Sequence, residues 1–212
     1  MKTLSIEERK NITPDKALEL LMKGNERFTS NLSINKDHLN VLSTFSNEQK
    51  PFAFVLSCID SRAPVEIIFD QGIGDLFSAR VAGNIINDDI IASAEFAVEM
   101  IGVKLIFVLG HTNCGAMSAC LKKIKNGHLK YLVEKIEPTY LKYQQVIDKD
   151  PFPQNKLAEL NVLETTKLLL SKSIIIKNAV TNKSLKIATG MYDISNGKVS
   201  LLSVFDNSNI SG

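Results

Sequence analysis

Lys104-Leu-Ile-Phe-Val-Leu109, running straight into Gly110-His-Thr-Asn-Cys-Gly115, is the stretch on which the fold turns. An unbroken apolar run this short, closed by a glycine turn, reads as a strand buried on both faces. Fully buried strands belong to parallel sheets, and the helix expected next, Ala116 to about Lys125, supplies the covering layer. Upstream the same grammar recurs. Pro51 opens Phe52-Ala-Phe-Val-Leu-Ser57, which leads into Cys58-Ile-Asp-Ser-Arg62. Asp75 to Ala79 reads as another strand, and Asp88 to Ile101 as a helix capped by Asn87 or Asp88 and stopped by Gly102. Strand, helix, strand, turn, helix predicts an α/β fold with a mostly parallel sheet flanked by helices.

Working outward, Thr13 and Pro14 start a helix that runs to Phe28, with Ala17, Leu18, Leu21 and Met22 near helical spacing. Residues 29–50 read as a long polar connection, which would let this helix reach away from the body onto a second subunit. Two long helices are expected over 129–147 and 153–171, and Ser173 to Asn182 is read as helix. Ser184 to Tyr192 and Lys198 to Phe205 then form a C-terminal antiparallel hairpin around Asn196-Gly197. With no internal repeat or low-complexity linker, the whole of 1–212 is taken as one domain: an N-terminal helical arm, 1–50, and an α/β core, 51–212.

Composition narrows the function classes. The 212 residues are 44% hydrophobic and 23% charged, with a net charge of +2, so no basic excess points to nucleic acid or an anionic membrane. The N-terminus has no apolar signal stretch, and the longest apolar run falls far short of a membrane span. Three cysteines are an odd number and too few for a disulfide scaffold. A soluble, cytoplasmic protein is therefore expected.

Both residue clusters that carry chemistry follow a strand directly, where open α/β sheets place their ligand sites. Two thiolates and an imidazole, from Cys58, His111 and Cys114, suit zinc, and three protein ligands leave a fourth position free for water, the catalytic arrangement. Cys58 alone would read as a small buried hydrophobe. The His-x-x-Cys spacing at a strand-to-helix turn outweighs that reading. Cys120, inside a predicted helix, keeps it, and His38 and His128 read as solvated surface histidines. Cys58, Asp60 and Arg62 alternate, so in extended backbone they share a face. An Asp60 held ionised by Arg62 could accept a hydrogen bond from a water on the metal, or could itself become the fourth ligand.

Cys58-x-Asp60-x-Arg62 followed by His111-x-x-Cys114-Gly115 resembles the β-class carbonic anhydrases. Arg80-Val-Ala-Gly-Asn84, Ala94-Glu-Phe-Ala97, Gly102-Val-Lys104, Val108-Leu-Gly-His111 and Gly190-Met-Tyr-Asp-Ile194 extend the likeness over most of residues 13–205. The resemblance implies one Zn2+ per chain on Cys58, His111 and Cys114, and a catalytic dyad of Asp60 and Arg62. The implied reaction is reversible hydration of CO2 to bicarbonate and a proton by zinc-hydroxide attack. It further implies a substrate wall that includes Gln49, Val55, Phe77, Ala82, Phe96 and Gly115, and a homodimer or a tetramer built as a dimer of dimers. Part of that wall, the Gln49 and Phe96 regions, is expected from across the dimer interface. Val55 stands where the bicarbonate-inhibited subtype has a tryptophan, so the chain resembles the always-open subtype, although Arg80 matches an arginine common to both. Two alternatives remain at this stage: a carbon disulfide or carbonyl sulfide hydrolase on the same scaffold, and a non-catalytic zinc or bicarbonate-binding module. A thiol redox protein is disfavoured, because no Cys-x-x-Cys pair exists.

Overall fold

Ala53–Ser57 (β1) and Leu105–His111 (β3) lie side by side at the centre of the molecule, and every residue of both is buried. The computed structural model describes residues 5–34, 37–44 and 46–209. Across its five-stranded sheet the order is Leu76–Arg80 (β2), β1, β3, Lys186–Tyr192 (β4) and Val199–Phe205 (β5). The first four strands are parallel and β5 returns antiparallel to β4, as expected. The β4–β5 register shifts at Thr189/Gly190, where a Cβ on Gly190 would lie 2.9 Å from the Ser200 carbonyl oxygen.

This order positions the site. The chain leaves β1 towards β2 on one side and leaves β3 towards β4 on the other, so a crevice opens between their C-terminal ends. Ser57 pairs with both Arg80 and Leu109, so β1 and β2 end level and β3 runs two residues further, to His111. Cys58 leaves one lip of the crevice, and His111 closes the other.

Helices cover both faces. Ile6–Lys10 (α1), which the sequence reading did not find, begins at a capping box in which the Ser5 hydroxyl accepts from the Glu8 N–H and Glu8 answers to the Ser5 N–H. Pro14–Thr29 (α2) starts at Thr13, as expected. The expectation that α2 reaches away from the body is corrected: it lies on its own sheet. Ala17, Leu20 and Leu21 are buried with Phe52, Val55, Phe69 and Phe107. Asn25 pins it there, its Nδ2 donating to the Ile68 and Gly197 carbonyls at 3.1 and 2.8 Å while its Oδ1 accepts the Val199 N–H at 2.8 Å. Gly24 lets the backbones touch, since a Cβ there would sit 1.7 Å from the Phe69 carbonyl oxygen. The connection after α2 contains a helix of its own, His38–Thr44 (α3). The His38 side chain lies outside the described residues.

Val65–Ile68 (α4) shares the face of α2. On the opposite face, Asp88–Glu95 (α5) starts at Asn87 and widens into a π-type turn over Phe96–Ile101, where an unbroken α-helix was expected. Gly115–Leu121 (α6) stops sooner than the sequence suggested. Leu129–Ile147 (α7), Pro153–Lys172 (α8) and Ile174–Thr181 (α9) match the reading, and Ser173 caps α9 by accepting the Ile176 N–H. The hairpin turn is wider than two residues, with bonds between Asp193 and Lys198 and between Asp193 and Gly197, whose φ of 79° only glycine adopts freely.

Candidate metal centre

β1 delivers Cys58, β3 ends on His111, and Cys114 caps the N-terminus of α6. All three are buried, and their ligand atoms lie within 4.8 Å of one another, with the two sulfurs 4.0 Å apart. The imidazole is already oriented. Nδ1 lies 2.8 Å from the Thr112 carbonyl, which can only accept, so the proton sits on Nδ1 and the Nε2 lone pair is free. Nε2 is buried without a hydrogen-bond partner. An orphaned buried lone pair facing two thiols costs free energy unless something binds it. A divalent cation fits that gap, and the Cys2His donor set favours zinc. Among the described residues, no other group of three such side chains comes this close together.

The electrostatics agree. The Cys114 thiol donating to Cys58 pulls the Cys58 pKa down against burial, helped by His111 and by the Gly83 N–H. The same contact with Cys58 pushes Cys114 up, as does burial. Burial works to lower the His111 pKa, but Cys58, the Thr112 carbonyl and the Asp60 carboxylate together outweigh it and the net shift is upward. One proton is thus loosely held and one tightly held on the pair, and a cation would displace both.

Asp60 faces the same point. Its Oδ2 is 4.0 Å from His111 Nε2. Arg62 grips it twice, Nε to Oδ1 at 2.9 Å and Nη2 to Oδ2 at 2.8 Å, and adds its backbone N–H at 3.0 Å. Those bonds hold the Asp60 carboxyl far below the usual range, so it is ionised at any working pH. Arg80, at the end of β2, donates to the Cys58 carbonyl at 3.0 Å and to the Asp60 carbonyl at 2.5 Å, bracing the loop that carries both residues. The sequence reading had given Arg80 no such role.

A family model described as Carbonic anhydrase matches residues 53–199. The chain belongs to the β-carbonic anhydrase family. Carbonic anhydrase 2 of Mycobacterium tuberculosis is 36% identical over 202 residues, covering 90% of this chain and 94% of that protein. The carbonic anhydrase of Mycolicibacterium smegmatis is 32% identical, covering 91% of this chain and 95% of its own length. Among solved structures, the β-carbonic anhydrase CafA of Aspergillus fumigatus is 27% identical with a TM-score of 0.73, over 88% of this chain and 90% of that one.

For a β-carbonic anhydrase, the remaining residues read from the sequence divide into two groups. Ala82 opens a tight 3-10 turn beside Cys58, and Gly115 is exposed directly after Cys114, so both border the metal residues. The others stand apart. Val55 is fully buried in the core with residues of α2. Phe77 and Phe96 do meet, with ring centroids 6.3 Å apart, but on the outer edge of β2, in an open pocket of about 580 Å³ that also includes Phe54 and Ile90. Gln49 is exposed ahead of β1. Five strand residues at about 3.3 Å each separate it from Cys58, so it cannot reach the metal residues of its own chain.

Three residues missed by the sequence reading support this carbonic anhydrase site. Gln154 Nε2 donates to the Cys114 carbonyl at 2.7 Å, Asn155 Oδ1 accepts the Asn113 N–H at 2.8 Å, and Asn161 Nδ2 donates to the Gly83 carbonyl at 3.0 Å. Only Asn161 left a trace in the sequence, as a polar residue inside the apolar stripe of Leu157, Ala158 and Val162. Cys120 is packed in an apolar cluster, as read, and His128 is exposed. No described helix is long and apolar enough to cross a membrane.

Proposed function

We propose that this protein catalyses the reversible hydration of CO2 to bicarbonate and a proton, with one zinc ion held by Cys58, His111 and Cys114. The observation that carries the reading is the free, buried Nε2 of His111 facing two thiols, with the ionised Asp60 4.0 Å away. When bound, zinc supplies a Lewis acid that brings the pKa of water to about 7.

The chain's own residues orient the reaction. With zinc bound, Asp60 Oδ2 would accept the hydrogen bond of the water or hydroxide at the open position and so orient a lone pair towards the CO2 carbon. The new C–O bond would form as one C=O π bond of CO2 opens, its electron pair moving onto oxygen to give bicarbonate, and the proton lost from water would pass to buffer. Arg62 holds the carboxylate by both oxygens, which keeps it off the metal and favours the always-open arrangement. His111, fixed through Nδ1, keeps its other nitrogen aimed at the ion.

Ala82 and Gly115 form the near wall of the substrate site. Phe77, Phe96 and Gln49 belong to a wall that a second subunit completes, because Gln49 sits at the far end of β1 and the half-buried Phe77 meets an exposed Phe96. We therefore assign a homodimer, or a tetramer made from two of them. The chain is taken as a single domain, in which α2 of the N-terminal segment packs back on the 51–212 core. Three free thiols, two of them metal ligands, suit the reducing cytoplasm.

Stopped-flow hydration of CO2 by zinc-loaded protein, run beside carbon disulfide and carbonyl sulfide, tests the reading. Rapid turnover of CO2 supports it. Turnover of only the sulfur compounds, or of none of the three, overturns it.

A further inference from the structure

Cys58 and Cys114 sit on separate loops, and one helix reaches both. α8 crosses β3 at Gly110, where a Cβ would lie 2.6 Å from Val162 Cγ2, so helix and strand are in close contact one residue before His111. From that seat α8 extends its amides to the two loops. At its first turn Gln154 and Asn155 hold the Cys114 carbonyl and the Asn113 N–H. Two turns on, the buried Asn161 holds the Gly83 carbonyl.

The residues held are those that would otherwise wander. Asn113 and Gly83 both adopt left-handed backbone, with φ of 55° and 71°. Such a conformation strains most non-glycine residues and is one that glycine adopts without preference, so neither backbone is held by its own sequence. Gly83 is also in direct contact with a ligand, its N–H donating to Cys58 Sγ at 3.4 Å. A change in the Gly83 backbone would re-aim that N–H, and a shift of the Cys114 carbonyl would carry its sulfur with it. Partners one layer behind the ligands commonly set ligand direction and metal affinity.

We propose that Asn161 and Gln154 are positioning residues of the metal centre, acting through the Gly83 and Cys114 backbone to hold Cys58 and Cys114 at zinc-binding geometry. This rests on the zinc reading above. α8 thereby serves as a clamp across two loops that are far apart in the chain.

Zinc affinity, measured by competition with a chromophoric chelator on folded protein, tests the proposal alongside the melting temperature of the metal-free form. Asn161→Leu and Gln154→Leu each lower zinc affinity by roughly tenfold or more. Thr166→Val is the control, because the Thr166 hydroxyl bonds only to the Val162 carbonyl of its own helix, so it shifts melting without touching affinity. The cobalt-substituted Asn161→Leu protein also shows a shifted thiolate-to-metal absorption band, which a merely structural role for Asn161 would not produce. Should Asn161→Leu fail to fold, the half-buried Gln154 carries the test. Wild-type zinc affinity in either folded variant overturns the proposal while leaving the zinc reading intact. Wild-type protein that binds no zinc overturns both.

Discussion

Adding one methyl group at Gly110 should loosen the molecule around its candidate metal centre. In Gly110→Ala the new Cβ falls 2.6 Å from Val162 Cγ2, 2.7 Å from Met191 Sδ and 3.6 Å from the Ala158 carbonyl oxygen. Ordinary carbon contacts are about 3.5–4.0 Å, so two of these cannot stand. Met191 is unbranched and can swing aside. Val162 cannot, because a β-branched residue in a helix has one strongly preferred rotamer and this side chain is fully buried. α8 must therefore retreat from β3 by about 1 Å, and overpacking of this kind costs about 1–3 kcal/mol. At about 2 kcal/mol the melting temperature of a chain this size falls by about 4–8 °C, readable by circular dichroism on the metal-free protein. Val162→Ala removes the obstacle, so the double variant should be more stable than the sum of the single effects by about 1 kcal/mol or more. Wild-type melting of Gly110→Ala, or a cycle additive within about 0.5 kcal/mol, would refute the reasoning.

Asp60→Asn should retain one zinc per chain yet lose roughly 100-fold or more in CO2 hydration, because its amide cannot serve as an ionised acceptor; near-normal turnover would remove Asp60 from the mechanism. Glu164 accepts from Lys142, Lys167 and the Tyr143 hydroxyl, and although burial pushes its pKa up, these donors bring it down from 4.5 to about 2. A pKa depressed by folding contributes stability above pH 4.5 that is lost as pH falls through about 2. Glu164→Gln should thus be less stable than wild type at pH 7 by about 1 kcal/mol, after screening by solvent. In denaturant melts that gap should close between about pH 4.5 and 2, and a gap constant across this range would contradict the assignment. Asn25→Ala removes three hydrogen bonds that seat α2 on its own sheet and should cost about 2–4 kcal/mol, independent of protein concentration. A loss that grew on dilution would instead place α2 on a partner.

Much of this was legible in the chain for physical reasons. β1 and β3 declared themselves because a strand buried on both faces has no polar residue to interrupt it. The candidate metal residues did so because each lies within a turn of a strand end, where residue type alone speaks. Asp60 and Arg62 were equally plain, since their pairing is local. The docking of α2 was not legible, because an amphipathic helix states that it buries a face without stating against what. Asn25 settles that question through bonds to residues as distant as Val199. For the same reason the amides of α8 were missed, as their partners lie 40 to 78 residues away in sequence. Strand alternation turns Val55 towards α2 and the core, a direction that position relative to Cys58 alone does not reveal.

The most direct test joins metal to turnover. CO2 hydration would be followed by stopped flow as metal-free protein is titrated with zinc, in parallel with Cys114→Ser. Activity should rise linearly to a plateau at one zinc per chain, and Cys114→Ser should neither retain zinc nor turn over. Activity that ignores zinc, or a Cys114→Ser protein that binds and works like the wild type, would contradict the assignment of Cys58, His111 and Cys114 as the catalytic metal centre.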